Sequence, residues 1–255
     1  MDRTRTPSPR PATGPFPRRP LSSPLPPTSG RPALGRLVPA LFALAVAVDL
    51  GSLLAGFDAG HLAAKPLLMP LLATWAALCG APRLLIAALL FGWGGDVLLL
   101  TDAEPAFLAG MGSFAVGHVC YLVLFRRTGP SRARAALLVP AYALALVGAV
   151  ALLWPDLPAD LRVPVAAYSA LLTAMAYLAA IRVGPVAAAG GALFLLSDTL
   201  IATGVAEWPQ LPRPDFWVML TYIAAQFLLT HGVLSERSAR VDVQGPGRPH
   251  RPDEP

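Results

Sequence analysis

Charged side chains are scarce in this sequence: Asp, Glu, Lys and Arg make up 14% of its 255 residues, where ordinary soluble domains carry about 25%. Such a chain cannot clothe a fully water-facing surface. With 55% hydrophobic residues, a mean hydropathy of +0.57 and several long apolar runs, it reads as a polytopic membrane protein. Cysteine is equally thin. Cys79 and Cys120 fall in apolar runs and make no spacing motif, so they read as small packing residues rather than a disulfide or metal site. No HxxxH or ExxH pattern is present, and no metal or cofactor is expected. The net charge of +5 does not signal nucleic acid, because the arginines flank apolar spans with no aromatic-basic stretch beside them.

What is present divides into two tails and a membrane region. Residues 1–36 are rich in Pro, Ser, Thr and Arg with almost nothing to bury, which predicts a disordered cytoplasmic tail. Residues 235–255 return to a polar, Pro- and Arg-containing composition and read the same way. Between them, 37–234 holds eight apolar segments near the ~20 residues needed to cross a bilayer. They fall at about 37–55, 66–80, 83–101, 105–125, 135–154, 162–181, 185–205 and 214–234, with the second the shortest. The fold class is therefore all-α, a compact bundle of eight transmembrane helices. Eight spans with cytoplasmic termini put seventeen basic residues inside and leave only Lys65, Arg162 and Arg213 outside. That asymmetry matches the positive-inside rule and predicts a multi-pass protein of the cell membrane.

An ionisable group at membrane depth costs at least ~2.5–3.5 kcal/mol, so those that occur ask for a reason. Asp96 in Gly95-Asp96-Val97 and Asp198 in Leu196-Ser197-Asp198 are two such groups. Helical rise places them ~8 and ~10 Å below the same membrane face. Asp49 comes out at similar depth, Lys65 at the rim, and Tyr168 and Tyr222 ~9–12 Å deep. His118 and Gln226 lie deeper. Gly110, Phe114, Gly117, His118 and Tyr121 step along one face of the fourth span, and Tyr222, Gln226 and Thr230 along one face of the eighth. Polar faces turn inward in membranes, so these are expected to meet in a single pocket holding both aspartates.

Lys65-Pro66-Leu67-Leu68-Met69-Pro70, Gly95-Asp96-Val97-Leu98-Leu99, Phe107-x2-Gly110-x3-Phe114-x2-Gly117-His118-x2-Tyr121, Gly191-Ala192-Leu193-Phe194-Leu195-Leu196-Ser197-Asp198 and Thr221-Tyr222-x3-Gln226 together resemble the YhhN-like, or lysoplasmalogenase, family. The resemblance covers the membrane region and neither tail. It implies an eight-helix membrane protein that hydrolyses the vinyl ether bond of lysoplasmalogens to a fatty aldehyde and a glycerophospho-base. The lysophospholipid and the bilayer are then the expected partners.

The residues suit that chemistry. Vinyl ether hydrolysis needs a proton on the β-carbon and then water on the oxocarbenium-like carbon, work for a carboxylic acid and a carboxylate in one site. Asp96 and Asp198 are the candidate pair, with His118 as a third proton-transfer group or as the group that orients one aspartate. Lys65 is placed to attract the lipid phosphate, and Tyr121, Tyr222 and Gln226 to bind substrate or position water. Plainer readings stand beside these: Lys65 snorkelling at a span end, Tyr168 and Tyr222 as interfacial aromatics, and His118 as a packing histidine. Asp49 reads as a span-end residue facing water, and His61 has no partner at ligand spacing. A different class of function, a proton- or cation-coupled transporter, uses the same kinds of groups. Against it, there is no inverted repeat and no pair of broken helices. A third reading is an assembly protein that uses the glycines of span four for helix contacts.

Overall fold

The computed structural model describes residues 31–101, 103–126, 129 and 132–243. Eight α-helices and no strand form among them: α1 Arg31–Ala55, α2 Asp58–Leu78, α3 Arg83–Leu98, α4 Glu104–Arg126, α5 Arg132–Leu153, α6 Arg162–Leu178, α7 Pro185–Val205 and α8 Pro214–Val243. A π-helical turn, Ala179–Val183, prolongs α6. Seven of these helices are long and apolar enough to cross a membrane, which makes the chain a multi-pass membrane protein. The eighth, α3, has 16 residues and reaches ~24 Å.

Three boundaries differ from the expected ones. The second span is not the shortest, since α2 has 21 residues and begins at Asp58. Pro66 and Pro70 look like a helix start, yet both lie inside it. An internal proline supplies no N–H to the carbonyl four residues earlier. At Pro66 that carbonyl is met from outside, by the Trp93 Nε1–H of α3 at 2.9 Å. The tails also begin further out: α1 already runs from Arg31 and α8 continues to Val243. The remainder of the expected tails, 1–30 and 244–255, lies outside the described residues.

Neighbours in sequence pack as hairpins, with α1 on α2, α3 on α4 and α7 on α8, while α4 and α7 both meet α6. Small residues set the closest approaches. A Cβ at Gly190 would stand 2.8 Å from the Leu229 backbone nitrogen, so α7 and α8 meet backbone to backbone there. Helix α5 is peripheral, packing chiefly on α6. Its Leu137, Leu144, Val147 and Leu152 are exposed, as a helix bathed in lipid requires. The core of buried Leu, Met, Phe and Ala side chains centres on α2, α3, α4, α6, α7 and α8. Asp96, His118 and Gln226 are buried in the same bundle.

Candidate active site

Asp96 sits two residues before the end of α3 and is 3% exposed. Glycines clear the space around it. A Cβ at Gly92 would lie 3.0 Å from Gln226 Nε2 and 3.1 Å from Tyr222 Oη, so only a bare backbone lets α8 come this close. Tyr222 donates its hydroxyl proton to Asp96 Oδ2 at 2.9 Å. Gln226 Nε2 donates to Tyr222 Oη at 3.3 Å, and Tyr121 donates to Gln226 Oε1 at 2.8 Å. The chain Tyr121–Gln226–Tyr222–Asp96 is directional. Each donor has one acceptor, and the last proton is aimed at the carboxylate.

Asp198 ends a second chain. Tyr168 of α6 donates its hydroxyl proton to Asp198 Oδ2, and its oxygen lies 3.1 Å from His118 Nε2. The hydroxyl has one proton and gives it to the carboxylate, so Nε2 must be the donor in the second bond. A neutral His118 then carries its lone pair on Nδ1, which is buried and has no partner among the described residues. The helical step that puts His118 and Tyr121 on one face of α4 thus sends them into different chains.

An aromatic wall joins the two. Phe194 meets the His118 ring edge-on at 4.8 Å and the Tyr222 ring at 5.5 Å, and Phe114 packs edge-on against both Phe194 and Tyr222. The expectation that both aspartates line one pocket needs correcting. A cavity of ≈ 140 Å³ is bounded by Asp198 and Tyr168 but not by Asp96. Its walls are mostly apolar, with Phe107 and Met111 of α4, Ala149 and Leu153 of α5, Leu172 of α6 and Leu195 of α7 among them. Asp96 stays apart because Phe114 fills the space beside Gly95.

The other predicted residues fall on the Asp96 side. Lys65, the chain's only lysine, is 9% exposed and precedes Pro66, whose carbonyl is bonded to Trp93 three residues before Asp96. Tyr121 and Gln226, each 1% exposed, sit behind Tyr222 rather than beside the cavity. Asp49 does not face water. It is fully buried and accepts a 2.9 Å hydrogen bond from His61 Nδ1. Sequence reasoning leaves His61 without a partner because the partner is on another helix. Tyr168, noted only for its depth, proves to be the link between His118 and Asp198.

Comparison with known proteins follows the same map. Residues 60–233 match the model of the YhhN family, a stretch that holds every predicted site residue but not Asp49. A Mycobacterium bovis protein named lysoplasmalogenase is 34% identical over 174 residues, 64% of this chain and 65% of its own length. Lysoplasmalogenase TMEM86B of Homo sapiens is 35% identical over 165 residues, 64% of this chain and 69% of its own length. The Sus scrofa protein of that name is 39% identical over 146 residues, 57% of this chain and 61% of its own length. The match thus spans just under two thirds of the mycobacterial relative. No solved structure matches.

Proposed function

Because the chain belongs to the YhhN family, and relatives at about 34% identity are named lysoplasmalogenase, we propose that it hydrolyses the vinyl ether bond of a lysoplasmalogen or related lysolipid. The observation that carries this reading is a single carboxyl group, Asp198, in the wall of an otherwise largely apolar cavity. An alkenyl chain suits those walls, and the one acid among them meets its polar end.

Asp198, in its acid form, gives a proton to the β-carbon of the vinyl ether. The double-bond electrons form the new C–H bond, and the ether oxygen stabilises the cation left on the α-carbon. Water adds to that carbon and gives a proton back to the Asp198 carboxylate, which yields a hemiacetal and restores the acid. The hemiacetal hydroxyl proton then passes to the glycerol oxygen as that C–O bond breaks, releasing the fatty aldehyde and the glycerophospho-base. One water is consumed and the acid is regenerated. Tyr168 holds the Asp198 carboxyl, and His118 behind it orients the shared hydroxyl by donating Nε2–H to its oxygen. Asp96 supplies the second carboxylate, which steadies the cationic intermediate across the aromatic wall. Tyr222, Gln226 and Tyr121 act as positioning residues for Asp96. Lys65 attracts the phosphate of the substrate.

The basic residues flanking the spans favour insertion in the cell membrane with both termini cytoplasmic. The test is to incubate purified protein with vinyl ether and ester lysolipids of equal chain length. Aldehyde from the vinyl ether lipid, with no fatty acid from the ester, is the expected result. No product from either, with proton-coupled uptake into vesicles, would replace the hydrolase with a transporter.

A further inference from the structure

The geometry points to a phosphate-binding subsite made by His61 and Lys65 over buried Asp49, which lies outside the family-matched region. It rests on the proposed lysolipid substrate and says which part of that lipid this end of the bundle holds. His61 and Lys65 are four residues apart on α2 and therefore share a helical face. His61 is fixed through Nδ1 to Asp49 Oδ1 at 2.9 Å, while its side chain keeps 17% exposure. The ring's other nitrogen, Nε2, has no partner among the described residues, and neither does Lys65 Nζ; neither atom is sealed from the surface. Asp49 Oδ2 is sealed and has no partner among the described residues. A fully buried carboxylate with half its hydrogen bonding unmet is costly unless a cation is held against it. In its imidazolium form His61 keeps Nδ1–H on Asp49 and presents Nε2–H beside the ammonium of Lys65, two charged donors for one phosphate. Arg213 adds a third cation at this end, with Nη1 3.0 Å from where a Cβ on Gly56 would stand.

The position agrees with the chemistry. Lys65 adjoins Pro66, whose carbonyl is bonded to Trp93 of α3 three residues before Asp96, and Phe114 stands between Gly95 and the cavity that Asp198 lines. In a lysoplasmalogen the phosphate is three glycerol carbons from the vinyl ether oxygen. A lipid with its chain in the cavity and its ether bond near the aspartates would carry its phosphate toward α2.

The test uses purified full-length protein and two lipids without a vinyl bond: a saturated 1-alkyl lysophosphoethanolamine and the matching 1-alkylglycerol, which lacks phosphate. Wild type should bind the phosphate-bearing lipid about tenfold more tightly, a preference that shrinks with salt. His61→Gln and Lys65→Gln should each lose most of that ratio, and Lys65→Arg should keep it. Equal binding of the two lipids by wild type overturns the subsite, and that comparison decides even if a variant does not fold. A wild-type ratio that survives in both glutamine variants also overturns it. Because neither lipid can be cleaved at a vinyl bond, the result is independent of the aldehyde assay. Aldehyde release without the binding ratio would refute only the subsite, and the ratio without aldehyde only the proposed reaction.

Discussion

Gly95 on α3 lies so close to Phe114 on α4 that a Cβ added at residue 95 would stand 2.4 Å from the Phe114 ring. The ring occupies the volume that any other residue would claim beside Asp96. It is also the partition that keeps Asp96 out of the cavity. Gly95→Ala must therefore displace Phe114, and overpacking of this kind costs about 1–3 kcal/mol. Thermal unfolding in detergent should show that loss, with reduced aldehyde release. Gly112→Ala, where nothing lies within 4 Å, should change stability by no more than about 0.5 kcal/mol.

Tyr168 touches both His118 and Asp198. Tyr168→Phe keeps the ring in its contact with the His118 imidazole but removes the hydroxyl through which Asp198 is held. The expected outcome is a fall of roughly 10²–10⁴-fold in kcat, the range of a lost acid–base contribution. KM for the lysolipid should change much less. Steady-state aldehyde release checks this, and an unchanged kcat would remove Tyr168 and His118 from the mechanism.

The cavity predicts a chain-length limit. Ala149 contributes a small side chain to it from α5, a helix that packs chiefly on α6 and carries little of the core. Ala149→Trp should fill the space at little expense to folding. Long alkenyl substrates should then show a higher KM while short ones are spared, which a series of lysolipids of graded chain length will reveal.

Trp93 and Pro66 form the tie between α2 and α3. Trp93→Phe should lower stability by about 1 kcal/mol, the net worth of one hydrogen bond. In that background Pro70→Ala restores an N–H for the Pro66 carbonyl and should recover part of the loss. Melting curves of the four proteins in this double-mutant cycle measure the coupling.

Much of this was legible in the sequence because membranes impose strong rules. Apolar runs near span length predict eight helices, and eight form among the described residues. The steps of three and four along α4 and α8 predict buried faces, and Phe114, His118, Tyr121, Tyr222, Gln226 and Thr230 are all buried. What escaped depends on contacts between helices. Asp49 and His61 are twelve residues apart on two helices, and no spacing rule pairs them. Tyr168 bridges residues fifty and thirty positions away, so its depth alone could not reveal its partners. The start of α2 was hidden because the N–H missing at Pro70 is replaced by a side chain of α3 on the Pro66 carbonyl, a relation invisible in the local sequence.

The central claim is that a carboxyl in the cavity wall cleaves a vinyl ether, and aldehyde release by wild type, Asp198→Asn and Asp96→Asn tests it most directly. Wild type should release aldehyde from a vinyl ether lysolipid. Each asparagine variant, folded in membranes, should lose at least about 100-fold in rate. Full activity in both variants, or no aldehyde from wild type, would contradict the account.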